Sequence, residues 1–116
     1  MKNYKYLPIP VTEAFLKGIT DKIVRNLKPE KIFLFGSYTY GRPGKDSDID
    51  LLIIMESNER PAKRRIRVSR LFWDRPIPMD FVVKTPAEVE RRLSMGDFFI
   101  KKILAEGKVL YDKRAS

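Results

Sequence analysis

The sequence predicts an α/β (α+β) domain in which a small mixed β-sheet is flanked by helices. Three observations lead there. Apolar runs of strand length alternate with longer stretches of helical periodicity. Those stretches open on N-capping residues and close on Gly or Pro. The chain of 116 residues is 43% hydrophobic and 34% charged, the balance of one soluble globular core rather than a disordered chain. A small sheet must bury its apolar faces, so helices are expected to cover it. There is no internal repeat and no linker, and residues 1–116 read as a single domain.

The first ten residues carry Pro8 and Pro10 and read as an extended lead-in. From Val11 to Leu27, Phe15, Ile19, Ile23 and Leu27 recur every four residues, which predicts a helix with one apolar face. Thr12 is its expected cap and Pro29 its stop. Lys31 to Phe35 is short and apolar and ends at Gly36, as a buried strand would. Residues 36–47 hold Gly, hydroxyl residues and Pro43, a turn with room for one helical turn after Ser37. Ile49 to Met55 is the second strand.

Asn58 is placed to cap a helix from about Glu59 to Trp73. On it Ala62, Ile66, Ser69, Phe72 and Trp73 share one side, with Trp73 read as core. Arg60, Lys63, Arg64, Arg67 and Arg70 crowd the other. Met79 to Lys84 is the third strand, with Asp80 near its start. Thr85-Pro86-Ala87-Glu88 has the cap, first-turn Pro and returning Glu of a capping box. That helix ends near Gly96. Asp97 opens another to about Glu106, and Val109 to Tyr111 reads as an edge strand.

Composition narrows the chemistry. With no Cys there is no disulfide framework, thiol nucleophile or thiolate metal site. With no His, the commonest general base and the usual zinc ligands are gone too. Catalysis would fall to carboxylates, Lys, Arg, Tyr or hydroxyls, and a metal to oxygen donors. No apolar run reaches membrane-spanning length and no secretory leader is legible, so a cytoplasmic, non-membrane setting is expected. The net charge of +9 points to an anionic partner such as nucleic acid, nucleotide phosphates or an acidic protein.

The informative stretch is Gly36-Ser37, ten residues, then Asp48-Ile49-Asp50. Strand side chains alternate, so Asp48 and Asp50 share a face about 6–7 Å apart. Two such carboxylates repel unless a cation lies between them, and Mg²⁺ favours one or two carboxylates with phosphate oxygens and water. Gly36 would let backbone approach a ligand closely, and Ser37 would offer N–H groups and a hydroxyl to an anion. Arg42 and Lys45 in the same loop could add positive charge to phosphates. Taken singly, Asp-x-Asp or Gly-Ser marks an ordinary strand end or turn. The order and flanking strands make the combination specific.

The segment from Phe35-Gly36-Ser37 through Gly41-Arg42 to Ser47-Asp48-Ile49-Asp50-Leu51 resembles the signature of the DNA polymerase β-like nucleotidyltransferase superfamily, in its minimal single-domain branch. The ending from Phe98-Phe99 to Ala105-Glu106-Gly107-Lys108-Val109-Leu110-Tyr111 is similar to that branch as well. The resemblance implies the catalytic palm of these enzymes. It implies two Mg²⁺ ions on Asp48 and Asp50, and a triphosphate held by Gly36 and Ser37. It also implies a third metal-binding, catalytic carboxylate at Asp80, in the run Ile77 to Val83. Minimal members resemble antitoxins paired with HEPN-type toxins, so the implied reaction is transfer of AMP from ATP to a hydroxyl on such a protein partner. Two other readings stand beside it. One is a non-catalytic antitoxin that binds by contact. The other is a small RNA-binding protein using the Arg-rich helix, where seven basic residues from Glu59 to Arg75 face two acidic ones. For the transferase as well, Arg60, Arg64 and Arg67 on this helix are the expected docking surface for an acidic partner or RNA.

Overall fold

A computed structural model describes residues 11–39, 48–74 and 77–115. The lead-in expected over the first ten residues lies outside them. Helix α1 (Glu13–Leu27) comes first, then strands β1 (Lys31–Phe35) and β2 (Ile49–Ile54). Helix α2 (Pro61–Ser69) runs into a 3₁₀ turn at Arg70–Phe72. Strand β3 (Met79–Lys84), helices α3 (Pro86–Ser94) and α4 (Phe98–Glu106), and strand β4 (Lys108–Asp112) complete the order. The sheet is ordered β3-β2-β1-β4. β1 is antiparallel to both β2 and β4, while β2 and β3 run parallel. This is the mixed sheet the sequence predicts.

Strand alternation splits the core into two layers. Ile32, Leu34, Ile49, Leu51, Ile53, Phe81 and Val83 face α1 and α2 and pack with Leu16, Ile19, Ile23, Val68 and Phe72. Phe33, Leu52 and Ile54 face the other way, against Val89 of α3 and Ile100 and Ile103 of α4. Each fully buried Ile or Leu contributes about 1.5–3 kcal/mol, so both helical layers are needed to hold a four-stranded sheet.

The local signals act where they were read. Thr12 Oγ1 accepts from the Phe15 N–H at 3.0 Å. Thr85 and Glu88 close a capping box at the start of α3, and Asp97 Oδ1 accepts from the N–H groups of Phe99 and Ile100.

Helix α2 departs from its prediction. Asn58 does not cap it: Arg60 is the N-cap, without a side-chain cap bond, and Pro61 takes the first helical position. Its buried stripe is Arg64, Val68 and Phe72, while Ile66 is exposed and Trp73 is 84% exposed rather than core. The reason is a long-range ion pair. Arg64 Nη1 and Nη2 donate to Glu88 Oε1 and Oε2 at 2.7 and 3.1 Å. Its Nε donates to the Glu59 carbonyl at 2.8 Å, and Nη1 also reaches the Val83 carbonyl of β3 at 3.4 Å. A guanidinium so neutralised can be buried, and that rotates the helix by one face. Arg67 in turn forks onto Glu59 at 2.6 and 2.9 Å. Arg64, one of the three arginines expected to dock a partner, is therefore buried within the fold and presents no charge to one, while Arg60 and Arg67 remain on the exposed side of the helix.

Candidate active site

The carboxylates gather at one end of the sheet. Asp50, second residue of β2, pairs in register with Asp80 of β3, so the two sit on adjacent parallel strands, about 4.8 Å apart in the pairing direction, and share a face. Asp48 lies one residue before β2 and continues the alternation onto that face. Across the other side of β2, Asp50 is in register with Phe35, the last residue of β1. Sequence reasoning named Phe35 in the strand and the motif but gave it no role at the site. Its ring meets Phe99 of α4 edge-on, with centroids 5.5 Å apart, and so ties the first turn of α4 to the carboxylate end.

Burial, then the nearby charges of Asp80 and Asp48, raise the Asp50 carboxyl to about 6. None of the three carboxylates takes part in an ion pair among the described residues. The described residues contain no closed cluster of three acidic groups poised around one point. The donor set is nonetheless hard oxygen under mutual repulsion, the chemistry that fits Mg²⁺.

Gly36 follows β1 directly, with φ +81. A Cβ built there would lie 2.2 Å from Asp50 Oδ2 and 3.2 Å from its Cγ. The close approach expected of this glycine is thus made first by the Asp50 carboxylate. Beyond it the chain turns: the Thr39 N–H donates to the Gly36 carbonyl at 3.0 Å, and Thr39 Oγ1 donates to the Leu34 carbonyl at 2.9 Å. Ser37 is a half-buried residue within that turn. Arg42, Tyr40 and Lys45 fall outside the described residues.

A substitution follows from this geometry. Gly36→Ala should lose about 1–2 kcal/mol from the left-handed backbone. It should also push the Asp50 side chain aside, and misplacement on the order of 1 Å lowers turnover about a hundredfold. Thermal melts and single-turnover rates measured together would show both effects. A rate unchanged from the native protein would mean that Asp50 is not held by this contact.

A mixed sheet that sets carboxylates of two parallel strands beside a Gly-Ser turn is the frame of a nucleotidyl-transferring palm. The chain belongs to the nucleotidyltransferase domain family, whose profile matches residues 16–111. It is thereby a member of an enzyme class that moves nucleotidyl groups. No curated protein matches it in sequence. Solved structures share the fold. A Sulfolobus solfataricus protein described as a candidate nucleotidyltransferase is 19% identical with a TM-score of 0.62, over 90% of this chain and 83% of that one. A chain from a toxin–antitoxin structure with AMP-PNP is 22% identical with a TM-score of 0.58, over 83% and 73%. A chain from the complex of a tri-AMPylated Shewanella oneidensis HEPN toxin with its MNT antitoxin is 19% identical with a TM-score of 0.55, over 89% and 75%. No helix among the described residues is long and apolar enough to cross a membrane.

Proposed function

We propose that this chain, acting as a single minimal domain in the cytoplasm, transfers AMP from ATP to a hydroxyl on a partner protein of the HEPN-toxin type. The observation that carries the reading is the register pairing of Asp50 with Asp80, with Asp48 two residues behind and Gly36 against the Asp50 carboxylate. The nucleotide analogue and the AMPylated partner in similarly folded complexes support the choice of substrate and acceptor.

Asp48, Asp50 and Asp80 would hold Mg²⁺, two ions in the proposed form. Bound there, Mg²⁺ would neutralise phosphate oxygens and lower the pKa of the acceptor hydroxyl. The chain's own residues do the rest. Gly36 and Ser37 face the triphosphate with backbone N–H and hydroxyl, and Arg42, six residues beyond Gly36, is the candidate cation for the phosphates. Asp80, exposed on the outer strand, takes the proton of the attacking hydroxyl. A bond forms between that oxygen and the α-phosphorus. The bond from phosphorus to the pyrophosphate oxygen breaks, and pyrophosphate leaves with the electron pair. Positioning and charge supply most of the acceleration, so the lack of His is no obstacle.

The test incubates the chain with ATP labelled at the α-phosphate, Mg²⁺ and a purified HEPN-type protein. Label should move to that protein with release of pyrophosphate, and a chelator should stop it. Stable complex formation without any label transfer would leave the domain a binding antitoxin and end the enzymatic reading.

A further inference from the structure

The corner between α3 and α4 is built rigidly and then left bare. α3 ends in a Schellman motif, where the Gly96 N–H donates to the Leu93 carbonyl at 3.1 Å and the Asp97 N–H to the Arg92 carbonyl at 3.0 Å. Gly96 supplies the positive φ of +78 that the motif requires. The apolar contact that commonly closes this motif is here an Arg92–Asp97 ion pair at 3.8 Å. Asp97 at once caps α4. Within seven consecutive residues the corner exposes Leu93, Met95 at 70%, Phe98 at 82% and Phe99 at 53%. The core does not use Met95 or Phe98: α4 packs inward through Ile100 and Ile103, and α3 through Val89.

Exposed apolar groups collected in this way mark an interaction surface, and Phe and Met are among the residues enriched in interfaces. Its rim is positive. Arg91 lies one helical turn before Met95, and Lys101 one turn after Phe98, both exposed. Neither is in an ion pair among the described residues. A second copy of this chain would set like charges against each other across a two-fold contact. The surface also adjoins the reaction end, because Phe99 touches Phe35 and Phe35 is the register partner of Asp50.

We infer that the α3–α4 corner docks the acceptor protein through an acidic surface presenting an apolar anchor, which seats between Met95 and Phe98 while its carboxylates meet Arg91 and Lys101. This rests on the reading that the acceptor is a protein. It places that acceptor at the rim of the carboxylate end, where in-line transfer needs it held.

The test titrates the isotope-labelled full chain with an amphipathic helical peptide of about 18 residues, with Leu on one face and Glu on the other, and with its Lys counterpart. Amide shifts from the acidic peptide should concentrate at residues 93–101. Met95→Ser combined with Phe98→Ser should keep the thermal midpoint and weaken binding at least about tenfold. Arg91→Glu with Lys101→Glu should invert the preference between the peptides. Shifts elsewhere, equal binding of the Lys peptide, or self-association lost with Phe98→Ser would overturn the inference. So would ATP moving these same amides, which would make the patch a base platform. Failure to label the HEPN-type protein while the acidic peptide still binds the corner would remove the acceptor assignment alone. Undiminished labelling of that protein by the Met95→Ser, Phe98→Ser variant would remove the docking surface alone.

Discussion

Asp50→Asn should yield a protein that folds at least as well as the native one and no longer transfers nucleotide. Asp50 is in register with Asp80 on the neighbouring strand and feels the charges of both Asp80 and Asp48. Losing its charge would remove one anionic donor of the proposed metal site and leave only a neutral amide oxygen. Several kcal/mol of transition-state stabilisation should go with it, a rate loss of about a thousandfold or more. Stability should move the other way. The carboxyl is raised from 3.8 to about 6 by burial and its acidic neighbours, so the folded state binds the proton more tightly than the unfolded chain. Native stability therefore falls as pH rises from about 4 to about 6 and stays reduced above that. The Asn variant lacks this loss. With a chelator present, its melting temperature should exceed that of the native protein at pH 7, and the gap should close near pH 4. Native-like turnover in the variant would remove Asp50 from the catalytic set. A lower melting temperature at pH 7 would show that its charge is structural.

Arg64→Ala should give the largest loss of stability, about 3 kcal/mol. The Arg64 side chain is 6% exposed and that of Glu88 23%, and removing one partner of a buried pair strands the other. It also frees the Glu59 and Val83 carbonyls. Arg64 holds the Glu88 carboxyl down to about 2, from 4.5. A depressed acid of this kind contributes stability above its unfolded pKa, and that contribution is lost as pH falls from about 5 towards 2. Urea melts should therefore show a steep acid decline in the native protein and a shallower one in Arg64→Ala. Arg64→Met with Glu88→Gln, which keeps both the stem packing and the capping box, should lose less than the two single changes together. Additive losses would mean that the pair does not couple α2 to α3.

What was legible in the sequence was local. Thr12, the Thr85–Glu88 box and Asp97 act within four residues of themselves, and strands such as Lys31–Phe35 are bounded by their own turn residues. The face of α2 was not legible, because Arg64 is buried by a residue 24 positions away. Polar patterning alone sends Arg64 outward with its basic neighbours and Trp73 inward, whereas Arg64 is buried and Trp73 exposed. The site lies between these cases. The spacing of Gly36, Asp48 and Asp50 announced a shared function and the family resemblance named Asp80, while the β2–β3 register sets Asp80 beside Asp50. That Gly36 makes room for the Asp50 carboxylate could not be read from the motif, since a glycine kept clear for phosphate looks the same on paper. The Phe35–Phe99 contact needed the path of α4, which no local signal fixes.

The position of Arg64 has a consequence beyond the energy of its ion pair. An open sheet has two borders, and unpaired backbone along a border is a template on which strands of other molecules can polymerise. β3 forms one border, and there Arg64 occupies the outward carbonyl of Val83 while α2 packs alongside. β4 forms the other. Its pairing with β1 is broken by an irregularity between Ile32 and Phe33, and it begins and ends on the charged residues Lys108 and Asp112. Both margins thus discourage fibril-like growth, one by a guanidinium plug and the other by a kink. The protein can expose its apolar corner at high concentration without also offering its sheet as a seed.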